Sequence, residues 1–178
     1  MNLKELTMEQ HRDAERQKFA SILMSGKIAP AYYLKYLVNQ HACYLALETH
    51  QLFKLPQEKL KRNDNINADI GELNEDLNMD IDNMLTASTI EYISYVENIK
   101  IKDDFMAHVY VRYLGDLRGG QMIAKKIPGQ GRYYDFENPH VLANSIYEQL
   151  NDDMAEEAKK VFQFATRLFI EMYEYMDS

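Results

Sequence analysis

Three glycines in one helical stretch, gathered around a carboxylate, are the residues best placed to do chemistry in this chain. They lie in the run Tyr110-Val-Arg112-Tyr113-Leu-Gly115-Asp116-Leu-Arg118-Gly119-Gly120-Gln121. Each glycine costs a helix roughly 1 kcal/mol relative to alanine, so the three together cost on the order of 3 kcal/mol. Some contact must offset that loss, and two kinds could. Gly115 and Gly119, four apart on one face, would let a second helix approach closely, or they would let a flat, rigid ligand lie against the main chain with the helix kinking above it. Spacing alone favours helix packing. Asp116 weighs on the other side, because it sets a carboxylate at the edge of the bare surface, one turn from Gly120. Arg112, one turn earlier, can pair with it. As an exposed ion pair the two would contribute at most about 0.5 kcal/mol; over a bound plate they would form a polar network.

The elements that must position these residues read as helices almost throughout, with no strand-like alternation of convincing length. A first helix starts after Thr7, with Gln10 completing a capping box, and runs to about Met24 before Gly26 stops it. Pro30 opens a second at its first position, and that helix carries Tyr33, Leu37, His41, Tyr44, Leu45 and Leu52 towards Pro56. Residues 57–85 are polar and suit one or two short helices with loops. Ser88 and Glu91 form another capping-box pattern, a long segment from Asp103 to Lys126 holds the glycines, and Gly129 and Gly131 mark a turn. Asn138-Pro139 restarts a helix, and Asp153 with Glu156 starts a last one that ends near Met176. Seven or so helices without strands predict an all-α, single-domain bundle over 1–178.

Composition narrows the function. With 20 basic and 28 acidic side chains the net charge is −8, which argues against a nucleic-acid binder. The one cysteine, Cys43, excludes an internal disulfide and a thiolate cluster. No apolar run reaches membrane-spanning length, and Met1 to Gln10 lacks the apolar core of a secretory signal. The expectation is a soluble, cytoplasmic monomer. His41 and His50 suit packing or exposure, His140 exposure, and His108 an inward-facing position two turns before Gly115. No His/Glu spacing builds a di-metal carboxylate site.

The run from Arg112 to Gln121 resembles the distal-helix signature of the heme oxygenases. His11-Arg-Asp-Ala14-Glu15 resembles that family's proximal-histidine segment; Tyr44 with Leu45-Ala-Leu-Glu48 and the tail around Ala155 to Glu174 fit as well, and 55–100 fits least. The resemblance implies a bundle with heme (haem, iron protoporphyrin IX) sandwiched between a proximal and a kinked distal helix. It makes His11 the axial iron ligand, with small Ala14 and Glu15 beside the ring. Gly115, Gly119 and Gly120 would line the distal face, and Asp116 would hold a water near iron-bound O2. Tyr44 and Arg112 match the distal hydrogen-bond network, and Lys4 and Tyr110 match positions touching the heme propionates.

The implied reaction is oxidative cleavage of heme to biliverdin, by default the IXα isomer, with release of carbon monoxide and iron. Heme is then both substrate and prosthetic group. A ferredoxin-like protein would supply electrons and a bilin reductase could act downstream. Arg118, Lys125, Lys126 and Arg132 offer a cationic patch for an acidic redox partner. The sequence departs from the family at Asn144 and Glu148, where two basic residues usually anchor the propionates; Lys4, Lys125, Lys126 and Arg132 are the alternative cations. A non-catalytic heme carrier, or a helical enzyme of the thiaminase or quinone-cofactor type, are the competing readings.

Overall fold

A computed structural model describes residues 2–178, and its described residues form helices joined by turns, with no strand among them. The amino-terminal segment is three short helices, α1 (Leu3–Leu6), α2 (Met8–Glu15) and α3 (Lys18–Met24), where the pattern predicts one. The break between α2 and α3 is at Gln17, which takes an extended backbone conformation (φ −65°, ψ 142°). The capping box at Thr7 does not form. Its hydroxyl instead donates to the Leu3 carbonyl at 2.9 Å, closing α1 rather than opening α2.

The second helix, α4 (Pro30–Glu48), has Pro30 in its first turn and stops at Thr49, well before Pro56. It is the spine of the bundle, burying Tyr33, Leu34, Tyr36, Leu37, Cys43, Tyr44 and Leu47. A helix buried on several sides needs partners for its polar residues. Asn39 finds them by donating to the carbonyls of Lys35 and Met84 and accepting from the Thr86 N–H at 2.9 Å. The polar stretch after Pro56 holds a longer helix than its composition suggests, α5 (Asn63–Leu77), which seats Ile66 and Ile70 in the core and packs on α4. Glu48 caps it from outside, accepting the backbone N–H groups of Arg62 and Asn63 at 2.7 and 2.9 Å.

Then follow α6 (Ala87–Glu97), α7 (Lys102–Val109), a π-helical turn (Tyr110–Leu114), α8 (Gly115–Arg118), α9 (Gly120–Ile123), α10 (Pro139–Tyr147) and α11 (Ala155–Met176). The cap of α6 is Thr86, whose side chain accepts the Thr89 N–H; Ser88, the expected cap, gives its N–H and hydroxyl to Glu171 of α11. That long last helix lies against α2, α3, α6 and α7, so it joins the amino-terminal helices to the glycine-bearing segment. None of the described helices is long and apolar enough to cross a membrane.

Candidate active site

The π-turn decides which way the glycine segment faces. Such turns insert a residue into an α-helix and reset the register of the faces that follow. Here Arg112, Tyr113 and Leu114 are buried in succession, after which Gly115 and Gly119 emerge exposed while Asp116 and Leu117 turn inward. A β-carbon added at Gly115 would meet nothing within 4 Å, and one at Gly119 would meet only the Gly115 carbonyl of its own helix. The two glycines therefore present bare backbone to open space, and no helix packs on them.

Gly120 differs from the other two. It is buried, and a β-carbon there would come within 2.7 Å of the Tyr134 ring. The expectation that it lines the same ligand face is corrected: Gly120 lets Tyr134 pack, and Tyr134 stacks on Tyr133 at 4.1 Å with planes 11° apart.

Behind the bare glycines lies a buried polar cluster. Asp116, 9% exposed, accepts from the hydroxyls of Tyr44 and Tyr133, the latter at 3.2 Å from Oδ1. Gln40 donates to the Tyr133 hydroxyl at 2.9 Å and orients it. Burial raises the Asp116 carboxyl to about 7, against the opposing pull of the two phenols, Arg62 and Arg112. Burial also pushes the Tyr44 and Tyr133 phenols well up, so both stay protonated donors. The result is a fixed carboxyl able to give or take a proton near neutral pH.

Sequence reading identified Tyr44, Arg112 and Asp116 here but missed Gln40, Tyr133 and Tyr134. Loop 132–135 carries the two tyrosines and is pinned by Asp69, which accepts the N–H groups of Arg132 and Tyr133, and by Arg62, which donates to the carbonyls of Tyr133 and Asp135. Arg112, 8% exposed, lies 4.2 Å from the Tyr92 ring and gives its Nε–H to the Tyr92 hydroxyl at 2.9 Å.

His11 stands on α2 with its side chain 42% exposed. Its ring stacks on Phe162 of α11 at 5.0 Å, and Nε2 lies 2.7 Å from a Glu15 carboxylate oxygen. A histidine with one ring nitrogen held by a carboxylate can offer the other as a lone-pair donor to iron. Ala14 is buried beside it, and Gln10, its other neighbour, has a buried carbonyl oxygen without a hydrogen-bond partner. Tyr110 is half-buried in the π-turn, near Thr7 at the start of α2. Lys4 is exposed on α1 nearby.

Of the alternative cations, Arg132 is committed to Glu72 at 2.9 Å and Asp69 at 3.5 Å, and Lys126 packs its stem near Gly26. Asn144 and Glu148 are exposed on and just after α10. Arg118 projects beside Gly119, and its guanidinium donates to the Tyr147 hydroxyl of α10 at 3.1 Å. A part-exposed imidazole held by a carboxylate, a strip of bare backbone and a buried carboxyl raised to about 7 suit a flat, iron-bearing ring.

Comparisons with known proteins agree. A family model described as heme oxygenase matches residues 1–171. A heme oxygenase of Guillardia theta is 28% identical over 169 residues, covering 89% of this chain and 70% of that one. One from Pyropia yezoensis is 31% identical over 156 residues, covering 76% of this chain and 64% of the other. The crystal structure of heme oxygenase-1 from the cyanobacterium Synechocystis in complex with heme superposes with a TM-score of 0.79 at 20% identity, over 98% of this chain and 94% of that one. The heme oxygenase of Leptospira interrogans superposes with a TM-score of 0.77 at 23% identity, over 96% and 100%. The chain belongs to the heme oxygenase family.

Proposed function

We propose that the protein binds heme between α2 and the segment from the π-turn to α9 and cleaves it with O2 to biliverdin, releasing carbon monoxide and iron. The observation that carries this reading is the pair of bare glycines standing beside a buried carboxyl held at about 7. Heme, when bound, supplies the iron that activates O2 and is itself the molecule consumed.

The chain's own groups do the rest. His11 ligates through one ring nitrogen while Glu15 holds the other and orients the imidazole. Gly115 and Gly119 would lie against the ring and offer it no ligand. Asp116, anchored by Tyr44 and Tyr133, would hold a water beside the bound ring and exchange a proton with it through its carboxyl oxygens. Arg112 supplies positive charge behind that network. Lys4 and Tyr110 would meet the propionates from the amino-terminal end.

Arg118 takes the place of the missing basic residues of α10. It is a cation beside the bare strip, reaching α10 through Tyr147, next to Glu148, which has the wrong sign for a carboxylate partner. Arg118→Glu is expected to weaken hemin binding about tenfold while leaving the affinity for hemin dimethyl ester, which lacks the carboxylates, within about twofold; tenfold is about 1.4 kcal/mol. Equal losses for both ligands would show that Arg118 does not meet the propionates.

Gly115→Ala separates ligand approach from helix stability. The added methyl meets no protein atom, so the heme-free chain gains up to about 1 kcal/mol. The same methyl stands in the ring's path, so hemin affinity falls at least about tenfold. Calorimetry and a Soret titration check the two halves, and unchanged hemin affinity would remove Gly115 from the heme face.

With Arg132 held by Asp69 and Glu72 and Arg118 given to the propionates, the cations of that patch left for an acidic electron donor are Lys125 and Lys126. Reversing Lys125 and Lys126 to glutamate is expected to raise KM for ferredoxin several-fold with little change in kcat, since rim charges act mainly on encounter. An unchanged KM places the docking face elsewhere. The reaction itself is tested by hemin turnover with reduced ferredoxin, read as conversion of the Soret band to bilin absorption.

A further inference from the structure

His108 lies in the core, 0% exposed, and the mechanism above gives it no task. It sits in a chain of hydrogen bonds whose protons can all be assigned. A guanidinium only donates, so the Nε–H of Arg112 makes the Tyr92 oxygen an acceptor at 2.9 Å. Burial keeps the His108 imidazole neutral and the Glu157 carboxylate only accepts, so the ring's proton sits on Nε2 and goes to Glu157 Oε2 at 2.8 Å. Nδ1 is then a bare acceptor, and the Tyr92 hydroxyl donates to it at 2.6 Å. Glu157 also accepts from the Tyr95 hydroxyl at 2.8 Å, with Lys160 3.8 Å from its other oxygen. The chain thus has a cation at one end and a carboxylate at the other. The carboxylate end borders a surface cleft of about 680 Å³ lined by Tyr95, Lys100, Ile101 and Asp104.

A continuous chain from surface to interior invites the reading of a proton wire. The guanidinium rules that out, because arginine does not give up its proton in proteins. What the chain can do is hold and balance a charge. Arg112 is buried with no carboxylate within 4.0 Å among the described residues, and its Nε–H bond is to a neutral phenol. Unpaired buried charge is costly, and three hydrogen bonds running to Glu157 offset it by polarising towards that carboxylate.

We propose that His108 and Glu157 are positioning residues for the distal site: acting through Tyr92, they fix the Arg112 guanidinium by its Nε edge and set how strongly its charge is felt at Tyr44 and Asp116. This rests on the functional reading above. The groups that face the chain are Tyr95 and Lys160 at the carboxylate end, Asp104 beside the cleft, and Tyr44 and Asp116 at the arginine end.

Two measurements test it. The first uses 15N-histidine NMR on the full chain without heme, between pH 6 and 8.5. His108 is expected to stay a neutral Nε2–H tautomer with Nδ1 in the acceptor range. A proton on Nδ1, or an imidazolium, would overturn the chain. The second is the alkaline transition of the ferric hemin complex, read in the Soret band, for wild type, Glu157→Gln, Tyr92→Phe and the double variant. Glu157→Gln keeps shape and removes the balancing charge, so the midpoint is expected to fall by about half a pH unit as Arg112 favours hydroxide more strongly. In the Tyr92→Phe background the same change is expected to have no effect, because the link is already cut. An unmoved midpoint in Glu157→Gln, or additive shifts, would reduce His108 and Glu157 to core packing. Failure of the wild type to bind hemin would sink the functional reading, and the NMR result would still judge the chain.

Discussion

His11→Ala is expected to lose bilin formation altogether and to weaken hemin binding by about 100-fold or more, with the fold intact. The fold is spared because the imidazole is 42% exposed and touches mainly Glu15 and Phe162, so its removal opens no core cavity. Affinity falls because the residues beside His11 on α2, namely Gln10, Ala14 and Glu15, include no second imidazole. Losing even an outer-shell partner of a metal-bound histidine costs 10–100-fold, and losing the ligand itself costs more. Free imidazole is expected to enter the vacated space and restore the ferric spectrum and part of the turnover. Full affinity and turnover in His11→Ala would assign the iron to another residue. Glu15→Gln belongs to the same experiment as a milder lesion, loosening the ring without removing the donor.

Asp116→Asn is expected to lower the rate of bilin formation by roughly 10²–10³-fold while hemin binding changes little, in line with the usual contribution of a positioned acid–base group. The variant keeps an acceptor for Tyr44 and loses the ability to exchange a proton with water. It also carries a stability signature. Burial raises the Asp116 carboxyl to about 7, so the folded chain holds this proton more tightly than the unfolded one. Its contribution to stability is complete below about pH 4 and is lost as the pH climbs to about 7. Heme-free wild type should therefore lose Tm between about pH 4 and 7 relative to Asp116→Asn, and the two curves should converge at the acid end. Parallel Tm curves would show that the carboxyl ionises freely in the folded chain, which removes the physical basis for its role.

How much of this could be read from the sequence depends on how local each feature is. The cost of three helix-interior glycines is a local quantity, and it pointed to the segment that carries the site. The same reasoning could not separate Gly120 from its neighbours, because its reason is the ring of Tyr134, held in place by a loop pinned from α5. Capping boxes are local patterns too, yet neither expected one forms, one lost to a distant partner and the other to the turn before it. Ser88 is claimed by Glu171, 83 residues away, and Thr7 turns back to Leu3. The bend at Gln17 has no glycine or proline to announce it. Arg112 and Asp116 were singled out by their spacing around the glycines, and Tyr44 through the family resemblance. Gln40 and Tyr133, which complete their network 93 residues apart, carry no signal in spacing or composition. His108 was rightly placed inward, but its partner Glu157 lies 49 residues on and only the packing of α11 on α7 brings them together.

The most direct test of the central claim is an optical titration of the purified chain with hemin, followed by reduced ferredoxin and its reductase in air. The expected result is a Soret band that saturates at one heme per chain, then decays as a broad red bilin absorption grows and carbon monoxide is released. A Soret band that forms and persists through reduction would contradict catalysis and leave a heme carrier on this scaffold. No saturable band at all would contradict the heme site itself.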